Sequence, residues 1–165
     1  MIKRCAILSA VVLTAVYVFD APSVSGKSKA EKTIPEVQVV AVDGDTLALA
    51  ELCGDKPTFL YLWATWCKVC SKDMKDVFKL REMFGDKIEV VGIAYKNSPE
   101  EIETYFSKKE KRLKTYIDAD GSVFQAFDTN ATPTVVIVDA SGKVLFSGYG
   151  SYRKYRKILE KALKS

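Results

Sequence analysis

Between Thr58 and Gly85 the periodicity of the chain changes once, and a pair of cysteines marks the change. Thr58-Phe59-Leu60-Tyr61-Leu62-Trp63-Ala64 is a near-continuous apolar run. That is the pattern of a central strand buried on both faces, which only a layer of structure on each side can provide. From Lys68 onward Met74, Val77, Phe78, Leu80 and Met83 recur at roughly helical spacing, and Gly85 stops the run. Trp66-Cys67-Lys68-Val69-Cys70 sits at the junction. The first cysteine is thereby placed at the start of a helix, where a thiolate is favoured by the backbone N–H groups.

The flanking sequence builds a sheet around this unit. Val37 to Val42 is a short β-type run, and Asp43-Gly44-Asp45 is a turn signal. Thr46 to Cys53 is a short extended or helical piece ending at Gly54. Ile88 to Ala94 is a second buried strand. Ser98-Pro99-Glu100-Glu101 is a helix start, with an N-cap serine, proline at the first position and acids in the first turn. Ile102, Tyr105 and Phe106 would face the core. Tyr116-Ile117 is a short strand, followed by a short helix through Phe124 and Phe127. Thr134 to Asp139 and Lys143 to Tyr149 form a hairpin about Ser141-Gly142. Tyr152 to Leu163 is a terminal helix with Tyr155, Leu159, Ala162 and Leu163 on one side and a basic, solvated face opposite. Parallel crossovers closed by a hairpin define an α/β fold with a mixed central sheet, helices on both faces and an N-terminal β extension.

Several chemistries are excluded by composition. The chain has no histidine, so catalysis by an imidazole base is absent. A cysteine-only zinc site needs four thiolates, and Cys5, one of the four cysteines, lies in a targeting-type segment. No metal and no tightly bound cofactor are therefore expected. The net charge of +4 is small for 165 residues and forms no arginine stripe, so no nucleic-acid partner is expected.

The N-terminus reads as an export signal. Met1-Ile2-Lys3-Arg4 is basic, Cys5 to Phe19 is an uncharged apolar run of 15 residues, and small residues follow. The run is shorter than the roughly 17–25 residues of a spanning helix. Residues 1–25 are thus expected to be a signal peptide, with an uncleaved membrane anchor as the alternative, and 26–36 a linker ahead of a domain over 37–165. Cys5 lacks the preceding residues of a lipoprotein box. Export would leave Cys53, Cys67 and Cys70, one pair and one single thiol.

The chemistry of the pair follows from thiol exchange. A thiolate attacks a disulfide sulfur, forms a mixed disulfide, and a second thiol resolves it. Cys67 at the helix start is the expected attacker. Cys70, one turn further in, is the expected buried resolving thiol. A stable disulfide or half of a metal site is the competing reading of such a pair. Cys53 is expected to be a buried, inert thiol, with an intermolecular disulfide as the alternative.

The stretch Phe59 to Cys70 resembles the active-site strand and helix start of the thioredoxin superfamily, and most closely its TlpA/ResA-like exported thiol–disulfide oxidoreductases. Further pieces match in order: Val42-Asp43-Gly44, Leu52-Cys53-Gly54-Asp55-Lys56-Pro57, Asp118-Ala119-Asp120-Gly121, Thr132-Pro133-Thr134 and Val138-Asp139-Ala140-Ser141-Gly142-Lys143-Val144. The resemblance covers roughly residues 37–163. It implies a thioredoxin-like fold and a Cys67–Cys70 redox disulfide. It also implies a cis Pro133 lying against that pair, and a preceding Thr132 that offers its backbone to an extended substrate. Trp66 would form part of the substrate surface, while Trp63 is core. Protein dithiols and disulfides of the cell envelope would be the partners, with a membrane electron donor behind them, in the bacterial periplasm or on the outer face of the inner membrane. The habit of the subgroup is reduction, including that of apocytochrome c before haem attachment. A groove that holds one partner with little redox turnover is the alternative.

The chain departs from the subgroup at four positions. Asp73 stands where glutamate is usual, Lys75 where proline follows it, and Val69 where proline precedes the second cysteine. Tyr61 occupies the strand position of a buried acid or asparagine. A phenol with a reference pKa of about 10 cannot relay protons at neutral pH. Any acid–base burden beside Cys70 therefore falls to Asp73 or to water, with a solvated acid in the first turn of the helix as the alternative reading of Asp73.

Overall fold

The computed structural model describes residues 32–164; the export segment and most of the linker lie outside them. Seven strands form one mixed sheet: β1 (Gln38–Ala41), β2 (Thr46–Ala48), β3 (Thr58–Trp63), β4 (Glu89–Tyr95), β5 (Thr115–Asp118), β6 (Thr134–Val138) and β7 (Val144–Gly148). Their spatial order is β2-β1-β5-β4-β3-β6-β7. The four α-helices are α1 (Lys68–Phe84), α2 (Pro99–Phe106), α3 (Ser122–Ala126) and α4 (Tyr152–Ala162).

β3 is central and buried at every position. It runs parallel to β4 (Trp63 opposite Ala94) and antiparallel to β6 (Leu62 opposite Thr134). Its alternate side chains supply two cores. Phe59, Tyr61 and Trp63 pack with Cys70, Met74, Val77 and Leu80 of α1, Ile102 and Phe106 of α2, and Tyr155 and Leu159 of α4. Leu60 and Leu62 face the other way, with Val91, Ile93, Val136 and Val138, under Val123 and Phe124 of α3. The two crossovers β3-α1-β4 and β4-α2-β5 progress in one direction, so both helices cover one face. α3 lies on the return leg and covers the other.

The stretch 46–53 divides into two parts. Thr46–Ala48 is a strand paired antiparallel with β1, and Leu49–Leu52 is a 3-10 turn that buries Leu49 and Leu52. With β1 also paired to β5, this hairpin is the N-terminal β extension of the sheet. Contact with the domain starts before residue 37: Thr33 bridges Lys143, the Ile34 N–H donates to the Gly142 carbonyl at 2.9 Å, and the Ile34 side chain packs on the second core. Leu163, expected on the inner side of the last helix, is exposed.

Helix starts follow the sequence signals. Ser98 caps α2 in a reciprocal capping box with Glu101, and Pro99 opens the helix. Ser151 caps α4. The buried carboxylate of Asp118 accepts the N–H groups of Gly121, Val123 and Phe124 at 3.1–3.2 Å and so fixes the start of α3.

Candidate active site

Cys67 and Cys70 are joined by a disulfide, with Cα atoms 5.2 Å apart. Cys67 is the N-cap of α1, and its sulfur accepts the Cys70 N–H at 3.1 Å. Ala64 to Cys67 form a tight turn closed by the Cys67 N–H on the Ala64 carbonyl at 3.1 Å. Cys67 retains 7% exposure and Cys70 none. The sulfur of the less buried cysteine therefore accepts one first-turn N–H at the helix N-terminus, a setting that favours an anion there. Trp66 (62% exposed) and Val69 (52%) stand out beside the pair as apolar surface, and the Lys68 side chain is exposed.

Pro133 is buried, and the Thr132–Pro133 bond is cis, as the resemblance implies. Pro133 lines a groove of about 600 Å³ between α1 and α4. Tyr61, Asp73, Val135, Tyr149 and Tyr155 line the same groove, so the structure brings Pro133 and Asp73 to one cavity. Asp73 is half-buried, one turn beyond Cys70. The exposed phenol of Tyr149 hydrogen-bonds to it. The Asp73 charge, and then this bond, push the Tyr149 phenol above its ordinary value.

Tyr61 lies under the first turn of α1. Its hydroxyl donates to the Cys70 carbonyl at 3.0 Å. Burial, and then the Asp73 carboxylate, drive its pKa far up. The group is a fixed neutral donor that pins α1 to β3 and takes no part in proton transfer. Tyr155, pushed up to about 12 by burial, packs edge-on against Phe59, and its oxygen accepts the Gly150 N–H at 2.7 Å. Trp63 is fully buried against Tyr105 and Phe106.

Cys53 is half-buried, and burial pushes its thiol up to about 11, against a hydrogen bond with Thr58 that lowers it. It packs against the second core, on the face of the sheet opposite the pair. Among the described residues, no group of three or more His, Cys, Asp or Glu side chains is gathered to hold a metal ion.

Two residues near the site escaped the sequence reading. Tyr149 reads as the end of a strand, and only the turn into α4 aims it at Asp73. Asn97 is buried beside the turn that precedes Cys67, where its side chain holds Thr65. The cap signal at Ser98-Pro99 is visible in the sequence, whereas the partner of the preceding asparagine is not.

A helix-capping cysteine disulfide, a buried proline before the strand that pairs with β3, and a sheet of this order define a thioredoxin-fold redox protein. The chain belongs to the Redoxin family, whose model matches residues 29–163. A thioredoxin-like protein of Haemophilus influenzae is 30% identical over 122 residues, covering 72% of this chain and 71% of its own. The thiol–disulfide oxidoreductase ResA of Bacillus thuringiensis is 26% identical over 139 residues, covering 84% of this chain and 79% of its own. A crystal structure of a thioredoxin-family thiol:disulfide interchange protein from Chlorobium tepidum superposes with a TM-score of 0.64 at 24% identity, over 81% of this chain and 97% of that one. With its Cys67–Cys70 pair, the chain is a thiol–disulfide oxidoreductase of the thioredoxin superfamily.

Proposed function

We propose that this protein is an exported reductant of protein disulfides in the cell envelope, acting on substrates such as apocytochrome c. The observation that carries the redox role is the disulfide at the start of α1, with Cys67 just reaching solvent and Cys70 sealed beneath it. The basic and apolar N-terminal segment of the sequence supports export, and the ResA-like resemblance supports the substrate class.

In the reduced protein the Cys67 thiolate attacks one sulfur of a substrate disulfide. A Cys67–substrate disulfide forms, and the other substrate sulfur leaves as a thiolate. Cys70, deprotonated, then attacks the Cys67 sulfur. The Cys67–Cys70 disulfide forms, the second substrate sulfur leaves, and two electrons have passed to the substrate. A dithiol protein at the membrane returns the pair to its reduced state. Trp66 and Thr132–Pro133 hold the substrate strand across the pair. Asp73 takes the Cys70 proton through the groove, since Tyr61 is committed to the Cys70 carbonyl.

Turnover of a model disulfide, such as that of insulin, tests this reading. Cys67→Ser should abolish it, and Cys70→Ser should accumulate mixed disulfides. Asp73→Asn should slow resolution about a hundredfold at neutral pH while leaving the first attack intact. Turnover that survives Cys67→Ser would refute the exchange mechanism. Envelope partners trapped by Cys70→Ser should include chains with haem-attachment cysteine pairs; their absence would sink the cytochrome assignment alone.

A further inference from the structure

Asn97 lies just beyond β4, where Lys96 takes a left-handed turn (φ +48°). The Lys96 N–H donates to the Asp118 carbonyl at 2.9 Å, which ties this turn to β5. The Asn97 side chain is then directed at the segment between β3 and the cysteine pair. Its Oδ1 accepts the Thr65 N–H at 3.0 Å, and its Nδ2 donates to the Thr65 hydroxyl at 2.8 Å. The remaining Nδ2 hydrogen goes to Glu101 Oε2 at 2.9 Å, an oxygen that also accepts the Ser98 N–H at 2.8 Å. Glu101 is in turn fixed by the Ser98 cap, its own N–H donating to the serine hydroxyl at 3.2 Å.

The orientation of this amide is determined. A flip would set its NH2 against the Thr65 N–H, donor against donor. Asn97 is 6% exposed, so each bond is made away from water, where leaving one unmade is costly. The clamp therefore joins the cap of α2 to Thr65, two residues before Cys67. In a turn of four residues, fixing Thr65 fixes where Trp66 and Cys67 stand relative to the first N–H groups of α1.

We propose that Asn97 is a positioning residue for disulfide exchange, acting through Thr65 to hold the Trp66–Cys67 turn in its reactive geometry. The role rests on the exchange reading above. Asn97 touches neither sulfur. It sets the alignment of the attacking sulfur with the helix start and the angle at which Trp66 meets a substrate. A misplacement of the order of an ångström at such a point can cost roughly a hundredfold in rate.

The test compares Asn97→Ala, Thr65→Val and a control, Asp139→Ala, which removes a distant hairpin bond to Ser141 and Lys143. Two quantities are read. One is kcat/KM for a model protein disulfide. The other is the pH midpoint for alkylation of Cys67 by iodoacetamide in the chemically reduced protein, with Cys53 replaced by alanine. Asn97→Ala should lower kcat/KM about tenfold or more and raise the alkylation midpoint by about half a pH unit. Thr65→Val keeps the N–H to Oδ1 bond, so it should lose roughly threefold, and this loss should vanish when Asn97 is already alanine. Asp139→Ala should lower the melting temperature alone. If Asn97→Ala lowers the melting temperature and leaves both kinetic quantities as in the control, the positioning role is overturned. If Asn97→Ala does not fold, unchanged kinetics in Thr65→Val overturn it equally. An unmutated protein without turnover would refute the exchange reading, while the alkylation midpoint still reports on the clamp.

Discussion

Gly92 occupies the middle of β4, and general propensity says that alanine there should stabilise the strand by about 0.5–1 kcal/mol. The structure gives the opposite sign. A Cβ on Gly92 would lie 2.7 Å from Trp63 Nε1, 3.0 Å from Leu113 Cδ2 and 3.0 Å from Thr115 Oγ1. Trp63 cannot yield easily, because its indole is a rigid ring packed 4.8 Å from Tyr105 and 5.7 Å from Phe106. Leu113 is fully buried as well. Forcing a methyl group into such a site costs about 1–3 kcal/mol, and disturbing the aromatic stack adds about 0.5–1.5 kcal/mol. Set against the propensity gain, Gly92→Ala should destabilise the domain by about 2 kcal/mol, within a span of roughly 0.5–4 kcal/mol. At roughly 3 °C per kcal/mol for a domain of this size, the melting temperature should fall by about 6 °C. Thermal and urea unfolding of the oxidised protein measure it. Trp63→Phe removes the clashing ring edge, so Gly92→Ala made in that background should cost much less. A variant as stable as the parent, or more so, would refute the reasoning, as would an equal cost in both backgrounds.

Two further outcomes follow from buried ionisable groups. With its thiol near 11, Cys53 should react with iodoacetamide far more slowly than Cys67 in reduced protein at pH 8, and its rate should still be climbing beyond pH 10; peptide mass spectrometry of timed samples would show otherwise if Cys53 were a reactive thiol. The Asp118 carboxyl is raised by burial, against the bonds from Phe124 and Val123, so the folded state holds its proton more tightly than the unfolded state does. Its contribution thus favours folding at low pH and is lost as pH rises from about 3.9 through the raised folded value. Denaturant unfolding from pH 3 to 7 should show the parent gaining on Asp118→Asn as pH falls; a gap that stays constant or moves the other way contradicts the assignment.

What was legible in the sequence depended on periodicity. β3 and α1 are long elements whose apolar spacing differs in kind, so the strand, the helix and the cysteine pair between them could be placed directly. The α2 cap was legible for the same local reason, since Ser98, Pro99 and Glu101 act within one turn. β2 was not, because three residues on a sheet edge carry no readable period and take their conformation from pairing with β1. The packing of Ile34 ahead of the expected domain start was hidden similarly: a single apolar residue in a polar stretch announces nothing until the sheet supplies a surface. Of the site, the cysteines and Pro133 were legible through motif and resemblance. Asn97 was not, because its partner lies 32 residues away and meets it only when parallel β3 and β4 end side by side.

The unusual neighbours of the pair make physical sense together. A tyrosine at position 61 reaches from the strand to the Cys70 carbonyl, a distance that a shorter acid on the same strand would leave open. That contact fills the space beneath α1 and fixes the first turn, and it removes an ionisable acid from below the disulfide. Burial of a carboxylate at that depth would have carried a large desolvation cost. The remaining acid, Asp73, lies at the groove edge, half-buried and partnered by the exposed Tyr149. There its charge stays near water, and protons reach it without crossing the core. In the proposed exchange cycle, proton handling falls to the wall of the site, on the side where Pro133 opens, and not to its floor. A substrate strand lying along Pro133 would cover that wall. Occupancy of the groove and access of solvent to Asp73 are therefore coupled by geometry, and departure of the resolved substrate would re-expose the carboxyl to water.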